Sequence, residues 1–221
     1  MNQKISPRAV VIVFMGDSIT AGQYVDPSLR WTSLVGDSIL RGHLSTPVNF
    51  NLLNRGISGE TTRQGLERFP ADVQQQRPDI MTLQFGLNDC NCWVTDGGLP
   101  RVSEAAYRAN LIEMIARAQH FGTRSIILVT NHPTLRHKVL LSGESLEVRR
   151  QRYNDCVREV AACTGVELCD IEEAFAPHDS QLADMLLPYP DQLHLSATGH
   201  RLYAGHIQPY IELAIADIAA S

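Results

Sequence analysis

Short apolar runs alternate with longer stretches in which apolar residues recur at helical spacing. Residues 9–14, 50–53, 80–85, 125–130 and 166–169 are mostly continuous hydrophobic segments of strand length. Such runs suit strands covered on both faces, as in a parallel sheet. Between them, Trp31, Leu34, Val35 and Ile39 fall on one helical face. Tyr107, Leu111, Met114, Ile115 and Ala118 form a second such face, with Ser103 placed to cap it. Tyr153, Val157 and Val160 mark a third helix, and Ser196 stands where a cap would start a last one at Ala197. Strand and helix in alternation imply right-handed crossovers and an α/β class. The predicted architecture is a three-layer α/β/α sandwich around a central, mainly parallel five-stranded sheet. Residues 90–102 and 131–145 are the longest irregular stretches. Each follows the C-terminal end of a predicted strand, where open parallel sheets place their ligand sites.

Composition narrows the picture. A chain of 221 residues with no linker, repeat or low-complexity segment reads as one domain over 1–221. With 44% hydrophobic and 19% charged residues it has the makings of a packed core. A net charge of −5 argues against nucleic acid or an anionic membrane surface as partner. No apolar run reaches the roughly 18–20 residues of a membrane span. The run at 9–15, flanked by Lys4 and Arg8, has the look of a signal segment, but it is short and passes straight into Gly16-Asp17-Ser18 without a small-residue cleavage site. It reads as a first strand. Five cysteines (Cys90, Cys92, Cys156, Cys163 and Cys169) are an odd number, which speaks against a disulfide framework and for a reducing, cytoplasmic setting.

The candidate chemistry is dispersed. Gly-Asp-Ser occurs at 16–18 and again at 36–38. The second copy falls inside the helical pattern of Trp31 and Ile39, so the tripeptide alone carries little weight. Ser18 instead stands directly after a strand, where Gly16 permits a tight turn and backbone N–H groups can face a developing anion. Asp191-Gln192-Leu193-His194 sets a carboxylate three residues before a histidine, a spacing at which Asp191 can orient the imidazole and stabilise its protonated form. Three oxyanion donors are on offer: the Ser18 N–H, the Gly56 N–H just after the second strand, and the Asn88 side-chain amide just after the third.

Gly16-Asp17-Ser18-Ile19-Thr20, Asn54-Arg55-Gly56-Ile57-Ser58-Gly59, Gly86-Leu87-Asn88-Asp89 and Asp191-Gln192-Leu193-His194 resemble, in order and spacing, the four blocks of the SGNH hydrolases, the GDSL-type esterase and lipase superfamily. Ile19 stands where the family name has leucine. The resemblance spans residues 16 to 194 and implies the flavodoxin-like SGNH fold, with Ser18, Asp191 and His194 as catalytic residues. It also implies an oxyanion hole of Ser18, Gly56 and Asn88.

The remaining features add less. Asp17, Asn54 and Asp89 read as turn or supporting residues. Cys90-Asn91-Cys92 has no partner pair at metal-ligand spacing, and no Gly-x-Gly-x-x-Gly follows a strand, so neither a metal nor a dinucleotide cofactor is expected. His132 and His137 stand in the loop beside the expected site, either touching substrate or facing solvent. Trp93 lies in a glycine-containing segment that either folds over an acyl group or anchors the core. The expectation is a serine-dependent carboxylic ester hydrolase working through an acyl-enzyme, on short acetyl-type esters, with Trp93 and His132 as substrate contacts. O-acetylated carbohydrate is the substrate that the family's habits suggest. Thioesterase, lysophospholipase or acyltransferase activity at the same site is the alternative, and a non-catalytic glycan- or partner-binding module the more distant one.

Overall fold

A computed structural model of the protein describes residues 9–44 and 48–220. Lys4 and Arg8, the basic flank of the first apolar run, lie outside the described residues. Five parallel strands, β1 (Val10–Gly16), β2 (Phe50–Gly56), β3 (Ile80–Gln84), β4 (Ser125–Val129) and β5 (Glu167–Cys169), form one sheet in the order β2-β1-β3-β4-β5. Between and after them come α1 (Ser18–Ala21), α2 (Trp31–Gly42), α3 (Thr62–Asp72), α4 (Glu104–His120), α5 (Leu146–Thr164), α6 (Ile171–Phe175), α7 (Leu182–Met185) and α8 (Ala197–Ala220).

Alternation along β1 divides the core. Ile12 and Phe14 join Trp31, Val35, Tyr203 and Ile207 from α2 and α8 on one face. Val13 and Met15 join Phe69, Leu111, Met114 and Val157 from α3, α4 and α5 on the other. This is the predicted three-layer α/β/α fold, and its strand order is that of the flavodoxin-like doubly wound sheet. Because β1 is buried on both sides, its sequence reads as an unbroken apolar run.

β1 and β2 run further than their apolar runs suggest, because Phe14, Met15 and Gly16 pair with Asn54, Arg55 and Gly56. Those last residues of β2 carry no hydrophobic signal. Helix α3 gave none either: it is polar, contains Pro70, and buries only Thr62, Gly65 and Phe69. The signal that marks it is Thr61-x-x-Gln64, where the Gln64 side chain accepts the Thr61 N–H at 2.8 Å. The second Gly-Asp-Ser lies within α2 as predicted. A Cβ on Gly36 would stand 2.9 Å from Leu52 of β2, and the Ser38 hydroxyl accepts from Gln208 of α8 at 2.6 Å.

Helix α2 has no side-chain cap of its own. Its first N–H, that of Trp31, is accepted at 3.2 Å by Nδ1 of His200 on α8. This satisfies one of the orphan donors that every helix start exposes. Burial, aided by the positive charge of Arg30, pushes the His200 pKa down to about 4. The neutral ring is therefore favoured by the folded state. Its stabilisation is complete above the unfolded value near 6.5 and is lost as pH falls through the folded one. Buried Asp17 and Asp89 act in the opposite sense, since their raised pKa values favour the folded state as pH falls. A variant comparison isolates the histidine. In urea unfolding, the stability of wild type relative to His200→Asn, which keeps an acceptor near Nδ1 but does not titrate, should fall by about 1–2 kcal/mol between pH 7 and pH 5. A pH-independent difference would contradict the assignment.

Candidate active site

The ends of β1, β2 and β3 converge at the switch point of the sheet, where β1 lies between strands that follow it in sequence. Open α/β sheets bind their ligands there. β1 stops at Gly16, and the chain folds back so tightly that a Cβ on Gly16 would stand 2.1 Å from the Thr20 hydroxyl. Asp17 then caps α1 by accepting the Ile19 N–H at 2.9 Å, which leaves Ser18 as the first helical residue. Two side chains hold this turn from behind. Trp31 donates its indole N–H to the Ile19 carbonyl at 3.0 Å, and Asn54 donates to the Thr20 carbonyl at 2.8 Å. Ser18 is thus fixed by three separate elements before any partner reaches it.

The partner arrives from the loop before α8. His194 Nε2 lies 2.9 Å from Ser18 Oγ, and His194 Nδ1 lies 2.8 Å from Asp191 Oδ2. An ionised carboxylate only accepts, so Nδ1 carries the ring proton and Nε2 is left to accept from the serine hydroxyl. The other Asp191 oxygen accepts the backbone N–H groups of Leu193 at 3.0 Å and His194 at 2.7 Å, which ties acid and base into one small loop. Partial burial works against ionising Asp191. The hydrogen bonds from the His194 backbone and ring and from the Leu193 N–H outweigh it and hold the pKa below the ordinary value. Gln192 pays for this tight path with a left-handed backbone, φ +54°.

Arg136, which carries no distinguishing signal in the sequence, grips the same loop. Its Nε and Nη2 donate to the Asp191 carbonyl at 3.0 and 2.8 Å. His132 acts from beneath, and here the sequence reading needs correction. The ring is only 1% exposed, so it neither faces solvent nor lines the cleft. Its Nε2 donates to the Leu193 carbonyl at 2.8 Å, and burial pushes its pKa down to about 3, which keeps it neutral. His132 is a prop for the His194 loop, because the chain leaving β4 runs directly under that loop. His137, by contrast, is exposed.

Gly56 also requires correction. It is the last residue of β2, paired with Gly16, and its N–H is already donated to the Asn54 side chain at 2.9 Å. A Cβ there would stand 2.1 Å from the Ala21 nitrogen, so glycine is required for β2 to pack against α1. Gly59, in the same block, is placed differently. It lines the same cleft as Ser18, Asn88 and His194 and has a left-handed φ of +80°. Among the described residues its N–H has no acceptor, and neither does that of Ser18. Asn88 lines the cleft as predicted.

Behind Asn88 lie two buried carboxylates. Burial, with the negative charge of Asp89 nearby, pushes the Asp17 pKa up to about 7 despite the hydrogen bond from the Ile19 N–H. Burial raises Asp89 to about 6 against the Thr62 hydroxyl and N–H.

The cleft measures about 330 Å³, and Leu87 and Leu193 supply its apolar lining. Trp93 is not part of it, nor does it anchor the core. It is 60% exposed, with the Arg101 guanidinium 4.5 Å above its ring, and Arg101 in turn donates to the Gly59 carbonyl at 3.0 Å. A recess of similar size at the other end of the sheet, between α4 and α8, contains no serine–histidine pair. Among the described residues no group of three or more His, Cys, Asp or Glu side chains is arranged to hold a metal, and no helix is long and apolar enough to cross a membrane. Chemically, the arrangement can draw the proton from Ser18 Oγ onto His194 and place up to three N–H donors around an oxygen bound beside it.

The chain is similar to several known proteins. The profile of the GDSL-like Lipase/Acylhydrolase family matches residues 14–202, which includes every residue of the site. The uncharacterized lipoprotein YqeF of Bacillus subtilis is 28% identical over 89% of this chain and 87% of its own. An acetylxylan esterase of Geobacillus stearothermophilus is 27% identical over 71% of this chain and 70% of its own. Among solved structures, a lipase/acylhydrolase of Enterococcus faecalis superposes with a TM-score of 0.70 at 28% identity, covering 91% of this chain and 94% of its own.

Proposed function

Since the chain belongs to the GDSL-like lipase/acylhydrolase family and is a carboxylic ester hydrolase of the SGNH type, we propose that it cleaves short-acyl esters through an acyl-enzyme on Ser18. The observation that carries this reading is the unbroken hydrogen-bonded chain from Ser18 through His194 to Asp191. Ser18 Oγ attacks the ester carbonyl as its proton passes to His194 Nε2. The carbonyl oxygen, now anionic, is held by the Ser18 and Gly59 N–H groups and the Asn88 amide. Collapse breaks the C–O bond, and the alcohol leaves with the proton that His194 had taken. Water, deprotonated by the same nitrogen, then attacks the acyl-enzyme and frees the acid. Asp191 keeps the imidazole in the required tautomer throughout, and Arg136 and His132 fix the loop that carries both.

The small cleft favours an acetyl-sized group, because Leu87 and Leu193 alone offer apolar wall and a longer chain would run out into water. O-acetylated carbohydrate is the natural substrate class most in keeping with this, and one relative is named an acetylxylan esterase. A panel of p-nitrophenyl esters from acetate to palmitate should show kcat/KM greatest at acetate or propionate and falling at least about tenfold by octanoate, since each added methylene finds no apolar partner to repay its ordering. A maximum at eight carbons or beyond would overturn the short-acyl assignment.

A further inference from the structure

On the outer side of His194 lies a second, shallower recess of about 480 Å³, whose walls include Tyr24, Arg136, Pro188, Tyr189 and Pro190. Arg136 lines both this recess and the Ser18 cleft, so the two are neighbours that share a wall. Tyr24 is the unusual member. Its backbone is left-handed, φ +69°, a conformation that a bulky residue adopts only at a cost in free energy. Burial does not offset that cost, because the side chain is 69% exposed. What the conformation achieves is a position: the ring meets the His194 imidazole edge-on, with centroids 5.2 Å apart. Tyr189, 83% exposed, presents a second aromatic surface to the same recess. Arg136 spends Nε and Nη2 on the Asp191 carbonyl, and its Nη1 has no acceptor among the described residues.

The direction of proton transfer says which half of a substrate belongs here. As the C–O bond breaks, its electron pair stays on the alcohol oxygen, which takes the proton from His194 Nε2. That oxygen must therefore lie within hydrogen-bonding reach of Nε2, and the rest of the alcohol extends on the His194 side while the acyl group remains in the Ser18 cleft. We propose that the recess is the leaving-group subsite, that Tyr24 and Tyr189 stack on the apolar face of a ring in the alcohol half, and that Arg136 Nη1 bonds hydroxyls on that ring. The class of alcohol is a sugar ring. Two tyrosines and two prolines offer flat, weakly polar surfaces to its C–H face, and the guanidinium offers a donor to its edge. This inference rests on the esterase reading above.

The test holds the acyl group constant and varies the alcohol: methyl acetate, phenyl acetate and a mono-O-acetylated methyl pyranoside. For Tyr24→Ala and for Tyr189→Ala, the ratio of kcat/KM for the pyranoside to that for methyl acetate should fall about three- to tenfold, chiefly through KM. Tyr24→Phe keeps the ring and should restore the ratio to within about twofold. An unchanged ratio in both alanine variants, or an equal loss on all three esters, would overturn the subsite. A loss confined to phenyl acetate would overturn the sugar assignment. Ser18→Ala separates the two levels: if it still turns over all three esters at the wild-type rate, the esterase reading itself has failed, not the subsite alone.

Discussion

Ser18→Ala should lower kcat for p-nitrophenyl acetate by about 10⁴- to 10⁶-fold, while Ser38→Ala stays within about twofold of wild type. The two serines share the tripeptide Gly-Asp-Ser, so the pair separates sequence from position. Ser18 Oγ faces His194 Nε2 at 2.9 Å, at the open end of β1. Ser38 Oγ faces only Gln208 across the contact between α2 and α8. Removing the first hydroxyl removes the atom that would carry the acyl group, and nothing nearby replaces it. What survives is the set of donors around the carbonyl oxygen, which accounts for a residual rate above that of water. Removing the second costs a hydrogen bond of about 1 kcal/mol, offset in part by alanine's helix propensity, and reaches activity only through stability. Far-ultraviolet circular dichroism and unfolding midpoints for both variants would keep the two effects apart.

The second large effect belongs to Asn88. Asn88→Ala should reduce kcat by about 10²- to 10³-fold with little change in KM, the signature of a contact strengthened as charge develops on the carbonyl oxygen. Asn88→Asp should be worse than Asn88→Ala, because it sets a third carboxylate beside Asp17 and Asp89 and repels the developing anion. Steady-state kinetics on p-nitrophenyl acetate decide the matter. A raised KM at unchanged kcat would make Asn88 a ground-state contact and remove it from the oxyanion site.

Where the sequence was legible, the reason is that one physical cause dominated. The strands of a doubly covered sheet must be apolar throughout, and so β1, β3 and β4 stand out as runs. Asp191 and His194 lie on one loop, and a spacing of three residues is enough to bring carboxylate and imidazole together. Gly56 and Gly59 show the opposite case. Both are glycines in the same block, both are needed for backbone reasons, and the difference lies in which N–H is already engaged. The Asn54 side chain, two residues upstream, consumes the Gly56 donor, and that bond follows from the curl of the chain at the end of β2. His132 was misplaced for a similar reason. Nothing in residues 131–145 says that the segment leaving β4 runs beneath the His194 loop, so a histidine in an irregular stretch looked exposed. Arg136 and Tyr24 left no mark at all, because an arginine bonding a distant carbonyl and a tyrosine with left-handed backbone are products of the tertiary fold.

The most direct test of the proposed chemistry is covalent. The full chain, treated with an alkyl fluorophosphonate, should lose esterase activity in step with the uptake of one phosphonyl group, and peptide mass spectrometry should locate that group on Ser18. Ser18→Ala should take up none at a comparable rate, and Ser38→Ala should be labelled like wild type. Activity that survives complete labelling of Ser18, or inactivation that tracks labelling of any other residue, would contradict the assignment of Ser18 as nucleophile.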